Sequence, residues 1–488
     1  MSTENSYLKK LVFFLIATSF VLPVAADEPR AYIEDPDPAI RKRIEEWKDL
    51  KFGLLMHWGA YSQWNIVESW SLCPEDLSWA TGARKKGLEG DYDTYRKEYE
   101  KLQTTFNPLR FDPQAWAEAS KAAGMRYVVF TTKHHDGFCM WDTKYTDYKI
   151  TDVKCPFSND TRKDVTKEIF NAFRSRGFWT GAYFSKPDWH SDLYWWKKFP
   201  PFDRNANYSI LKYPEQWNKF IEYTHNQIME LMTGYGQVDI LWLDGGWVRK
   251  KSEEEVNKTL TEVYEGSRWA RNPQSQDIDI PGLVSKVRSK QARTLVVDRD
   301  VPGPYQNYLT PEQHIPDTIL PYPWETCMTM GGSWSYVATD KYKPADQLIE
   351  TLVDVVSKGG NLLLNIGPSP EGEFAPEAYD RLKNISVWMQ KHNEAIYATR
   401  TAENFGEGKR IRFTRSKDGK TTYIFLFDLP GKTIELQNLK LPGGAKITVQ
   451  GSGNQCNWER TADGIRIRIP GSIIKEDEFV WVLKAKTD

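Results

Sequence analysis

Between residues 111 and 392 the chain repeats one unit, and that repeat limits the fold more than any other feature. A helix with a readable cap leads at once into a short apolar run that stops on polar residues. Residues 111–124 show it most clearly. Asp112 supplies the cap, Pro113 takes the first helical position and Gly124 ends the helix. Trp116, Ala119 and Ala123 fall on one face. The run 126–132 follows and ends in Lys133-His134-His135-Asp136-Gly137. The unit returns as helix 164–176 with strand 178–184, and as helix 215–232 with strand 238–244. Helix 280–291 precedes strand 294–298, and helix 345–358 precedes strand 361–366. A less defined segment holds Pro323-Trp324-Glu325-Thr326-Cys327, and a last helix spans 376–392. Ahead of all these, a helix over 40–50 leads to a strand that ends on His57 and Trp58.

Strands that alternate with helices predict a parallel sheet. The strand candidates end in His57, His134, His135, His190, Asp244, Arg299 and Asn365. A (β/α)8-like TIM barrel gathers its chemistry at those C-terminal ends. A doubly wound sheet also places polar residues there, but no glycine-rich phosphate loop follows the first strand. The expected catalytic domain is therefore a barrel over 27–400. From about residue 401 the helical period vanishes. Ile411 and Phe413, then Tyr423, Phe425 and Phe427, then Ile465, Ile467 and Ile469 set a period of two. Asp418-Gly419 and Asp463-Gly464 mark hairpin turns. Residues 401–488 are expected to form an antiparallel β-sandwich packed on the barrel.

The first 26 residues read as a secretory signal. Lys9-Lys10 give the positive start, 11–22 is apolar but for Thr18 and Ser19, and Val24-Ala25-Ala26 offers a cleavage site before Asp27. Export to a periplasmic or extracellular space, or to a lysosome-like compartment in a eukaryote, is expected, with no membrane attachment after cleavage. A net charge of −1 gives no reason to expect nucleic acid as a partner. Five cysteines without paired spacing predict neither a disulfide framework nor a metal cluster.

The stretch 238–246 carries the chemistry. An apolar run ends on Asp244, and Gly245-Gly246 let a substrate approach the backbone. Trp242 shares a strand face with Asp244, so an acid and an indole face the same way. A helix cap is the plainer reading of such an Asp. The rich supply of aromatics, with 20 Trp among them, also suits sugars, whose apolar faces stack on rings. Four of the seven histidines follow strands. His134-His135-Asp136 raises the question of a metal, but adjacent residues on an extended strand diverge, so no metal is expected. Acids, aromatics and neutral imidazoles at a barrel mouth describe a glycosidase. Such an enzyme needs a second carboxylate. The candidates are Glu325, Asp300, Glu68 and Glu312.

Five motifs, in order, make the chain resemble the α-L-fucosidases of glycoside hydrolase family twenty-nine. They are Met56-His57-Trp58-Gly59, Lys133-His134-His135-Asp136-Gly137-Phe138, Trp242-Leu243-Asp244-Gly245-Gly246, Pro323-Trp324-Glu325-Thr326-Cys327, and the stretch 359–368. The resemblance implies a retaining exo-hydrolase without cofactor that releases terminal α-L-fucose from fucosylated oligosaccharides or glycoconjugates. It implies Asp244 as nucleophile and Glu325 as general acid and base, with Asp300 in reserve. It implies that His57, His134, His135, Tyr183, Trp242 and Arg299 line the sugar pocket. Glu68 and Trp70 approximate a family Glu-Trp pair, here split by Ser69. Alternatives are an α-L-galactosidase of the same mechanism, a metal-dependent hydrolase, and a glycan-binding protein without turnover.

Overall fold

A computed structural model of the chain describes residues 32–74, 90–264, 274–428, 431–437, 439–471 and 479–487. The proposed signal segment lies outside them. Seven parallel strands, all nearly inaccessible to solvent, form the first sheet: β1 Phe52–Met56, β2 Tyr127–Lys133, β3 Trp179–Ser185, β4 Ile240–Asp244, β5 Leu295–Asp298, β6 Glu325–Thr329 and β7 Asn361–Asn365. Their order is β5-β4-β3-β2-β1-β7-β6. That order runs round the chain in one sense with no reversal. A doubly wound sheet would need a reversal, so the barrel is the correct reading.

The ladder is open between β5 and β6, and an irregular segment fills the gap. Gln306 bridges to Val297 on β5, while Leu309 and Glu312 bridge to Trp324 and Cys327 alongside β6. The Asn307 side chain accepts from the Val296 amide at 2.8 Å and donates to Asp35 at 3.0 Å. Side-chain bonds thus replace part of a missing eighth ladder.

Inside the barrel, Leu55, Val129, Tyr183, Trp242, Val297, Tyr308, Cys327 and Leu363 form one buried cluster with Trp47 of helix Pro38–Lys48. Trp47 stacks on Tyr308 at 4.0 Å, so this helix closes the N-terminal end. Gly53 is required there, because a Cβ would lie 2.4 Å from the Tyr127 ring. The opposite strand faces pack on the outer helices. Those helices begin as the sequence predicts. Asp112 accepts from the amides of Gln114 and Ala115 ahead of Pro113–Ala122, and Asp164 accepts from that of Lys167 ahead of Val165–Ser175. Helices Tyr92–Glu100 and Glu253–Tyr264 were not expected.

Among the described residues eight further strands follow: β8 Thr399–Glu407, β9 Ile411–Ser416, β10 Thr421–Leu426, β11 Thr433–Leu436, β12 Lys446–Val449, β13 Gln455–Arg460, β14 Ile465–Arg468 and β15 Trp481–Lys486. They pair in the order β11-β14-β13-β12-β15-β10-β9-β8 as an antiparallel sheet, the β-sandwich of the expected fold. Strand β10 (Thr421–Leu426) is buried on both sides. Ile424 and Leu426 enter the sandwich's own core, whereas Tyr423 and Phe425 join the core of the barrel helices. Trp388 donates to the Val480 carbonyl at 2.8 Å, and Arg410 and Arg412 pair with Glu350 and Asp354 of helix Ala345–Ser357.

Candidate active site

Asp244 ends β4 with its side chain 14% exposed, at the C-terminal mouth. Gly245 follows at φ +89°, where a Cβ would also strike Pro187 at 2.4 Å. Both carboxylate oxygens are engaged. Tyr183, level with Trp242 on β3 and so two residues below, reaches up to donate its hydroxyl to Oδ2 at 2.6 Å. Arg299, one residue past β5, donates from Nη1 to Oδ1 at 3.1 Å. Burial alone raises this carboxyl. The Arg299 charge, His135 and the Tyr183 hydroxyl outweigh burial and hold it well below the usual carboxylate range. Asp244 is therefore an anion at neutral pH.

Arg299 does more than pair with Asp244. Its Nη2 binds the Glu312 carboxylate, so one guanidinium spans two acids. Glu312 sits on the closing segment opposite Cys327 and is 41% exposed. The guanidinium lies 5.3 Å from the Trp242 ring, and the same ring stacks on Tyr183 at 5.3 Å. Asp300 stands at 3.8 Å from Arg299 with a half-exposed carboxylate.

Three histidines wall one side. His57 Nδ1 lies 2.8 Å from Asn365 Oδ1, and its ring meets Tyr183 edge-on. His134 stacks parallel to Tyr183 and its Nδ1 bonds Ser69. His135 brings Nε2 to 3.8 Å from Asp244 and packs against Trp70, Trp189 and Trp247. Burial pushes His57 and His135 down to about 4 and His134 well below its ordinary value. All three imidazoles are therefore neutral at neutral pH and suited to bonding hydroxyls.

The adjacent histidines do not diverge as expected. The chain turns straight after β2, the two rings lie 4.3 Å apart, and the ligand atoms of His134, His135 and Asp244 fall within 4.8 Å of one another. That donor set fits a cation poorly. Arg299 and Tyr183 hold the carboxylate, Ser69 holds His134, and the guanidinium repels a positive ion.

Glu68 is 4% exposed and accepts from the Ser335 amide at 3.0 Å. Burial first, then its own and the Ser335 amide opposing, and the charges of Glu312 and Asp244 reinforcing, leave it at about 7. It belongs to the cluster, as does Trp70. His190 does not: it stacks on Tyr148 and pairs with Glu100.

Glu325 is not at the mouth. It is the first residue of β6, in register with Asn361, and so lies at the N-terminal end of its strand. Its carboxyl is fully buried and accepts from Tyr127 at 2.6 Å and from the Trp242 indole at 3.3 Å. The motif match misleads here because alternation puts Glu325 inside the barrel but two layers too deep. Ser69, Trp189 and Trp247 were not singled out for the cluster, and Asn365 was read only as a strand-end residue. Ser69 had a signal in its place between Glu68 and Trp70.

The profile of the family described as Alpha-L-fucosidase matches residues 20–394. The chain belongs to the α-L-fucosidase family. These are the glycoside hydrolases of family twenty-nine. Plasma α-L-fucosidase of Homo sapiens is 26% identical over 90% of this chain and 89% of its own length. Tissue α-L-fucosidase of Homo sapiens is 27% identical over 97% and 95%. Among solved structures, α-L-fucosidase isoenzyme 1 from Paenibacillus thiaminolyticus superposes with a TM-score of 0.72 at 29% identity, covering 92% of this chain and 99% of that one. The Thermotoga maritima α-fucosidase, in complex with a mechanism-based inhibitor, gives 0.71 at 28%, covering 93% and 100%.

Proposed function

We propose that this α-L-fucosidase is an exo-acting, retaining hydrolase with Asp244 as nucleophile and Glu312, not Glu325, as general acid and base. The observation that carries this reading is Arg299, which bridges the two carboxylates at the barrel mouth. One guanidinium between them is in keeping with the ~5 Å carboxyl separation of retaining enzymes. Glu325 is enclosed at the other end of the barrel and has no path to a leaving group.

In the first step an Asp244 oxygen bonds to the anomeric carbon, the glycosidic C–O bond breaks, and the leaving oxygen takes a proton from Glu312. In the second, Glu312 takes a proton from water, whose oxygen displaces Asp244 and frees fucose with its configuration kept. The neutral His57, His134 and His135 bond the sugar hydroxyls, and Glu68, Trp70 and Trp242 complete the pocket. Fucosylated glycans are the substrates, as the fucose complex of the Thermotoga maritima relative supports. Residues 1–26 act as the export signal, which N-terminal sequencing of the mature protein tests.

Glu68 is the second reading for the acid, because its carboxyl stays protonated up to about pH 7. Its burial against Ser335, compared with a Glu312 side chain that is 41% exposed, favours Glu312. Alanine variants of the two separate them. Glu312→Ala should lose far more activity on a fucosyl disaccharide than on an activated aryl fucoside, and azide should restore the aryl reaction. If Glu68→Ala shows that signature and Glu312→Ala does not, the acid is Glu68.

A further inference from the structure

The mechanism leaves a carboxyl without a task. Glu325 lies on the barrel floor, wholly buried, among layers otherwise filled by residues such as Leu295 and Leu363. Filling space at that point needs no acid, and a carboxyl enclosed there is costly unless it is hydrogen-bonded. What it adds over a leucine is an acceptor.

We infer that Glu325 is a positioning residue, which acts through the Trp242 indole to hold the two partners of the nucleophile. Its Oε1 accepts the indole N–H at 3.3 Å, and Tyr127 anchors Oε2 at 2.6 Å. Trp242 precedes Asp244 by two residues and shares its strand face. The ring fixed in this way carries Tyr183 stacked at 5.3 Å and 20°, and the Arg299 guanidinium at 5.3 Å. Those are the groups that bond Oδ2 and Oδ1 of Asp244. A chain of contacts therefore runs from the barrel floor to the reacting oxygen. Loss of the acceptor frees the ring to turn, and both donors lose the surface they rest on. The inference depends on Asp244 being the nucleophile, as proposed above.

Three full-length variants test it: Glu325→Leu, which removes the acceptor, Trp242→Phe and the double. Folding is checked by thermal melting. Phe keeps a ring under Tyr183 and Arg299 but removes the N–H. Each single variant should lose kcat by on the order of 100-fold, as for a misplaced catalytic group. The loss should be the same for activated and poor leaving groups, and azide should not restore it. KM should stay within about twofold, so that the loss falls on kcat, because the sugar's own contacts remain. The double variant should be no worse than the poorer single. Glu325→Leu within about twofold of wild type, single losses that multiply in the double, or a loss carried by KM alone would overturn the inference. A loss confined to poor leaving groups and rescued by azide would overturn it too, and would return the acid's role to Glu325. The assignment of Asp244 fails separately, if its alanine variant still turns over.

Discussion

Asp244 illustrates how one side chain's charge is set by its neighbours. Burial opposes its ionised form, yet Arg299 and Tyr183 reverse the sign. Glu325 and Glu68 lack such a cation, and burial leaves both at about 7. A carboxyl raised in the folded state stabilises the fold below its ordinary pKa and loses that contribution as pH rises through the raised value. Glutamine does not titrate. The melting temperature of Glu325→Gln relative to wild type should therefore rise between pH 5 and pH 8, read by melts across that range; a constant gap contradicts the burial. The histidines give a second pH prediction. With His57 and His135 at about 4, kcat/KM should show no acid limb near 6.5, where an ordinary imidazole titrates, whatever basic limb Glu68 gives near 7. At this scale the sequence named most of the cluster, because Asp244, Arg299 and the histidines sit at strand ends, while Tyr183, inside β3, came only from the family resemblance. It misplaced Glu325, since alternation gives the side of a strand but not the depth within a barrel.

Among the elements, those with chemical punctuation were legible. Asp112-Pro113 and Gly124, or Asp164 and Gly177, bound their helices in the structure as they do in the sequence. The segment that closes the barrel between β5 and β6 was not. It has no period, and its register comes from Asn307 bonding backbone and Asp35 rather than from a ladder. Helix Tyr92–Glu100 escaped notice because it buries little more than Tyr95 and Tyr99. The closing segment carries Glu312, so its anchor bears on catalysis. Asn307→Ala leaves the Val296 amide buried without a partner, at a cost of about 1–3 kcal/mol. It should also lower kcat several-fold by loosening Glu312. Melting and kinetics on one preparation check both, and unchanged kcat would detach this segment from the acid.

Over the whole molecule, the barrel and the sandwich share a core through alternate residues of β10. Phe425 belongs to the barrel-side core, and its neighbours Ile424 and Leu426 to the sandwich. Truncating such a ring costs about 3–5 kcal/mol. Phe425→Ala should lower the melting temperature of activity and of structure together, in one transition. Two separated transitions would show that the sandwich is not needed to hold the barrel. Retention by this enzyme requires a covalent bond between fucose and Asp244. The direct measurement is to trap the enzyme with a 2-fluoro-fucosyl fluoride and locate the adduct by peptide mass spectrometry. One fucosyl group per chain, on the peptide that contains Asp244, is the predicted result. An adduct on another carboxylate, or full turnover with no adduct, would contradict it.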